Sequence, residues 1–183
     1  IILRDSARLQ TDDARFAAKR GYSEHKEPKP LYTEEDAEKA IDHLRERPYR
    51  TREQIAPDAY VTFYPSGHIL GSSFVVVEVA GKSFLFTSDL GRNNHPLLSN
   101  PDLPPQQDFD VIVTESTYGD RLHETTPEAF AQEINDAIAR GGAILISAFA
   151  VDRTEVILMA LKELIIDGTI PEIPIYVDSP MAL

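Results

Sequence analysis

The stretch YPSGHILGSSFVVVE, residues 64–78, decides how the chain reads. His68 follows Gly67 and precedes Gly71, and from Ser73 onward the residues are aromatic and β-branched. Such residues suit a pleated, half-buried surface, so the stretch is a loop feeding a strand, with His68 just outside the strand end. Taken locally, His68 is either a metal ligand or an ordinary loop histidine, and these fifteen residues leave both open.

Outward from it the same pattern repeats. YVTFYP precedes the stretch, KSFLFTSD follows it, and VAGKS between SFVVVEVAG and KSFLFTSD is a hairpin turn. DFDVIVTEST is a fourth strand, whose continuous Val111, Ile112 and Val113 predict burial on both faces. Downstream, TPEAFAQEINDAIARGG is a helix with Pro127 in its first turn and Gly141 at its end. AILISAFA is a buried strand, DRTEVILMALKELIIDG an amphipathic helix, and IPIYVD a further strand. That alternation predicts a layered α/β fold. Upstream, DSARLQTDDARFAAKRGY is a helix ending at Gly21. A second helix, TEEDAEKAIDHLRER, opens on Thr33 with Asp36 as a capping box and is expected to stop at Pro48.

Composition narrows the chemistry. The 183 residues carry a net charge of -12 and no cysteine, so disulfides, thiolate zinc sites and cysteine nucleophiles are excluded together. Any metal must be held by nitrogen and oxygen. Residues 1–50 hold 11 basic and 11 acidic groups, leaving 7 basic and 19 acidic in the other 133. That acidic field repels polyanions at long range. No apolar run reaches the roughly 20 residues that span a bilayer, and the expectation is a soluble, cytoplasmic protein. The chain opens inside helical sequence and stops just after an expected strand, so it is expected to be a fragment of a longer protein.

Reactive side chains recur at strand ends: His68, Asp89 after FLFTS, Glu115 after VIVT, and Asp178 after IYV. Ligand sites of layered α/β folds gather at strand edges. Spacing alone makes these candidates for a His/Asp metal site. It equally allows Asp89 to be a turn former and Glu115 to accept backbone N–H bonds in its own loop.

Together, SGHILGSSFVVVE, FLFTSDLGR, DVIVTESTYGDRLH, GGAILISAFAVDRTEVIL and IYVDSPMA resemble, in order and spacing, the β-CASP branch of the metallo-β-lactamase-fold nucleases. That branch includes ribonuclease J and the endonuclease of messenger-RNA 3′-end processing. The stretch DSARLQTDDARFAAKRGYSEHKEPKPLYTEEDAEKAI also resembles the connecting region of its bacterial members. The resemblance implies an α/β fold comprising part of an αββα sandwich and the beginning of a β-CASP domain. It assigns residues 1–50 to a helical connecting region, 51–125 to the metal-bearing sheet, and 126–183 to the start of the β-CASP domain.

The resemblance also implies two zinc ions, single-stranded RNA as substrate, no membrane, and leaves homodimerisation open. By position, His68 is a zinc ligand, Asp89 bridges both metals, and Glu115 orients a histidine near the leaving group, so Asp89 and Glu115 are the expected catalytic residues. A carboxylate between two cations lowers their repulsion, and the cations convert a shared water to a hydroxide that attacks phosphorus. Ser147 and Arg153 are expected to face substrate. Ser147 and Asp152 stand where relatives more often carry proline and glycine, and Asp152 adds negative charge that Arg153 offsets. The family's His-x-His-x-Asp-His motif is absent from these residues, its two later histidines are expected beyond residue 183, and His25 and His43 have no ligand pattern around them. With two ligands present, this chain is expected to bind zinc weakly or not at all and to be inactive alone. A non-catalytic scaffold and a zinc hydrolase of a small substrate are the competing readings.

Overall fold

In the computed structural model, which describes residues 2–121 and 126–179, the chain forms two units, Ile1–Glu46 and Arg47–Leu183. The first contains α1 (Ile2–Arg20) and α2 (Glu34–Asp42), which pack against each other. Their buried positions are alanines, Ala7 and Ala17 on α1 and Ala37 on α2. The capping box forms as the sequence predicts: Thr33 accepts from the Asp36 N–H, and the Asp36 carboxylate accepts from the Thr33 N–H. The helix stops at Asp42, however, and not at Pro48. His43 closes on the Lys39 carbonyl at 2.7 Å, and Arg45 donates to the carbonyls of Asp42 and Leu44. Side chains thus satisfy the terminal carbonyls that another helical turn would have used.

The second unit is built on a five-stranded sheet in the order β1 (Glu53–Ala56), β2 (Ala59–Pro65), β3 (Ser73–Val79), β4 (Lys82–Phe86) and β5 (Val111–Val113). All neighbours are antiparallel except β4 and β5, which run parallel. β1 escaped the sequence reading because EQIA has no apolar alternation. Register places Tyr64 opposite Phe74, and Thr62 opposite Val76 opposite Leu85. Cross-strand partners share a face, so Phe74, Val76 and Leu85 form one buried cluster, with Tyr64 stacked on Phe74 at 5.0 Å. The strand ends that carry the candidate residues are therefore fixed by a packed core.

Two expectations fail. β5 is the sheet edge, and Val111, Ile112 and Val113 are all exposed instead of buried on both faces. An apolar run reports a tendency to be covered, whereas burial needs a neighbour, and no strand lies beyond β5 among the described residues. The segments 143–150 and 173–178 form no strand, for the same reason: they have no ladder partner among the described residues. Leu145, Phe149 and Tyr176 stand out of the surface. The α/β class itself holds. Helices α3 (Pro127–Ala139) and α4 (Arg153–Ile166) close a second core of Ala131, Ile134, Leu161 and Ile170. Ile157, Leu161, Leu164 and Ile165 supply the apolar stripe of α4, at helical spacing. The ends of two motifs, residues 122 and 123 and residues 180–182, lie outside the described residues.

The β3–β4 turn offers a test of this geometry. Ala80 and Gly81 both have positive φ, 49° and 73°, the backbone of a type I′ turn in which Asn-Gly is preferred. Exposed Ala80 carries a left-handed cost of roughly 1 kcal/mol. Ala80→Asn is expected to raise stability by about 0.5–1 kcal/mol and the melting temperature by a few degrees, read by thermal unfolding.

Candidate metal centre

Three loops meet at one end of the sheet. The first, after β2, carries His68 and is closed at its base by Ser66 N–H donating to the Ser72 carbonyl at 3.2 Å. Within it the Ser72 hydroxyl accepts from the N–H groups of His68 and Ile69, at 3.0 and 3.1 Å, and pins the histidine's backbone. The second loop leaves β4. Thr87 still donates to the Val113 carbonyl, but Ser88 has a φ of 52° and turns the chain out of the ladder, freeing Asp89.

Ser66, which is fully buried, joins the two loops. Its hydroxyl donates to the Asp89 carbonyl at 2.9 Å, and its own carbonyl accepts from Gly91 N–H at 2.8 Å. The approach is possible only because residues 67 and 91 are glycines. A Cβ on Gly91 would run into the Gly67 carbonyl, and one on Gly67, whose φ is +68°, would lie 2.9 Å from the Pro101 ring. So braced, the loops bring His68 Nε2 within 3.8 Å of Asp89 Oδ2.

Glu115, in the third loop, ties itself to the second. Oε1 accepts from Leu90 N–H at 3.2 Å and Oε2 from Thr117 N–H at 3.1 Å. Its own N–H donates to Thr87 Oγ1 at 3.2 Å. The Leu90 amide, then that of Thr117, hold the carboxyl below its ordinary range, with a smaller contribution from His68. An open groove runs beside it, lined by Ser73, Val75, Phe86, Ser88, Asp89 and Glu115.

The His68–Asp89 separation is too long for a hydrogen bond, so the two side chains lie side by side with donor atoms uncommitted to each other. An imidazole nitrogen and a carboxylate oxygen are the donor types a borderline cation such as zinc accepts. They fit as part of a ligand set, not as a whole one. Among the described residues no group of three His, Cys, Asp or Glu is placed to hold a metal ion. Four donors make a closed zinc site and three an open one.

The structure thus gathers His68, Asp89 and Glu115. It leaves Ser147, Arg153 and Asp178 exposed, with no hydrogen bond or ion pair to that trio among the described residues. His25 and His43 are exposed in the first unit. Sequence reasoning missed Ser66, Thr87 and Gly91, although their adjacency to His68 and Asp89 was a usable signal. It also missed His95, whose partner is Asp152.

No protein-family model matches the chain. Among curated proteins it is 36% identical over 156 residues to Ribonuclease TTHA0252 of Thermus thermophilus, covering 84% of this chain and 35% of that protein. To the RNase J-like protein of Methanocaldococcus jannaschii it is 34% identical over 158 residues, 82% of this chain and 37% of the relative. To Cleavage and polyadenylation specificity factor 73 of Drosophila melanogaster it is 31% identical over 156 residues, 83% of this chain and 22% of the relative. The chain therefore spans little more than a third of these relatives at most.

Two outcomes test the brace. Gly91→Ala forces apart two backbones and is expected to cost about 1–3 kcal/mol in urea unfolding, with Ser66→Ala costing a comparable amount through its unsatisfied partners. A Glu115 carboxyl followed by ¹³C NMR should titrate below its ordinary value of 4.5. Because the folded value is the lower one, its bracing of Leu90 is complete above pH 4.5 and is lost as pH falls through the depressed midpoint. A midpoint at or above 4.5 would show that the two amides do not hold it.

Proposed function

The chain belongs to the β-CASP branch of the metallo-β-lactamase-fold nucleases, and from that premise we propose that it supplies two metal ligands, His68 and Asp89, to a zinc-dependent ribonuclease. The observation that carries the proposal is the convergence of His68 Nε2 and Asp89 Oδ2, 3.8 Å apart, on loops braced through Ser66. The β-CASP metallo-nucleases are metal-dependent. In this reading the metal is zinc, two ions are held, and further ligands lie outside these residues.

When bound, such cations polarise a phosphoryl oxygen and lower the pKa of water. The chain's own residues do the rest. His68 offers Nε2 and Asp89 offers Oδ2 from fixed backbones. Glu115, held anionic by two amides, keeps the Asp89 loop in place. Arg153 and Ser147 are the groups assigned to RNA phosphate. The acidic excess of residues 51–183 gives no general grip on a polyanion, so contact with RNA depends on such local donors. Residues 1–183 alone, with two donors, hold zinc weakly and cleave nothing.

Zinc titration by calorimetry and cleavage of a single-stranded RNA separate the alternatives. The full-length protein should bind zinc tightly and cleave, and lose cleavage with a chelator. His68→Ala and Asp89→Asn should each lower its rate at least about a hundredfold, since each removes several kcal/mol of metal-borne stabilisation. Two tight zinc sites on residues 1–183 alone would sink the incomplete-site reading. A full-length protein that binds RNA without cutting it would be a scaffold.

A further inference from the structure

We propose that His95 and Asp152 form a positioning pair that fixes Arg153, at the start of α4, relative to the loop that follows Asp89. The proposal deepens the ribonuclease reading and rests on it for the identity of the substrate group, an RNA phosphate.

His95 lies in the same loop as Asp89, six residues on. That loop is tied across its neck by Asn94 N–H donating to Asn100 Oδ1 at 2.7 Å. His95 Nδ1 accepts from the N–H groups of Leu97 and Leu98, both at 3.2 Å. A nitrogen that accepts carries no proton, so the ring's N–H is at Nε2. Nε2 faces Asp152 Oδ2 at 3.1 Å, with both side chains largely buried, 8% and 14% exposed. The histidine is thus preset by its own loop to present one donor to Asp152.

Asp152 sits in a conformation it would not choose. Its φ of 73° and ψ of -51° are disfavoured for any residue with a Cβ. As N-cap of α4 it would ordinarily accept a first-turn N–H, yet its side chain makes no such bond. The carboxylate is turned to His95 instead. From there the helix begins: Val156 N–H donates to the Asp152 carbonyl at 3.0 Å, and Thr154 Oγ1 donates to the Phe149 carbonyl at 2.9 Å. Arg153 is the next residue, so the direction in which it leaves the backbone is set at Asp152 and held through His95. The pairing also directs the Asp152 charge at a donor, away from the phosphate that Arg153 would meet.

Substitutions at 152 separate backbone strain from the pair. Asp152→Gly takes the positive φ freely but loses the contact; Asp152→Asn keeps an acceptor and tolerates the backbone. In the zinc-loaded full-length protein, Asp152→Gly and His95→Ala are expected to raise KM for a short single-stranded RNA about tenfold with kcat nearly unchanged. Asp152→Asn is expected to restore the original KM. An unchanged KM in Asp152→Gly, or an equal defect in Asp152→Asn, would overturn the proposal. Two measurements do not depend on cleavage. Long-range ¹H–¹⁵N spectra should show His95 protonated at Nε2, and the Nδ1–H tautomer would overturn the pair. Hydrogen exchange at Arg153 and Val156 should quicken in Asp152→Gly and not in Asp152→Asn; identical rates in both would overturn it. If the unsubstituted protein cuts no RNA, the ribonuclease reading fails, and these two measurements still decide the pair.

Discussion

The geometry of the site depends on one close approach, that of the Ser66–Gly67 backbone to Gly91. Two strand-end loops are held there by a hydrogen bond between main chains, Gly91 N–H to the Ser66 carbonyl, with the Ser66 hydroxyl closing the pair on Asp89. Because the contact is backbone to backbone, its length is set by peptide geometry and not by side-chain rotamers. Ligand positions built on such a contact scatter little, which is what a metal site requires of its donors. The β2–β3–β4 core carries this brace. Phe74, Val76 and Leu85 fix the register that brings Pro65 and Ser73 level, and with them the two ends of the His68 loop.

Glu115 adds a second, electrostatic tie. A carboxylate that accepts two amide N–H bonds has its acid form disfavoured, which moves it away from proton transfer near neutral pH. In the described structure its role is that of a fixed anion spanning the loops after β4 and β5. The partners of its carboxylate in the described structure are the backbones of Leu90 and Thr117.

What could be read beforehand divides along contact distance. β2, β3 and β4 pair through short local connections, so alternation and turn residues specify them. The run 143–150 and the segment 173–178 carry equally strong strand composition, but strands of that kind need partners distant in the chain, and composition names no partner. The same division holds in the site. His68, Asp89 and Glu115 were legible because each ends a strand. Ser66 and Gly91 were printed beside them yet not singled out, because their importance is a contact between loops. The His95–Asp152 pair joins distant segments, and neither residue lies in a pattern that points to the other.

Backbone strain follows the same map. Among the described residues, Ser88, Asn94 and Asp152 are non-glycine positions with positive φ in or beside the site loops. Each has a contact that holds it or its immediate neighbour: Thr87 Oγ1 donates to the Ser88 carbonyl, Asn94 N–H donates to Asn100, and the Asp152 carboxylate lies 3.1 Å from His95 Nε2. Residues in such conformations persist only where surrounding contacts over-determine them. Sequence preference alone does not favour these backbones; side-chain contacts hold them, and removing one such contact releases the strain at that position.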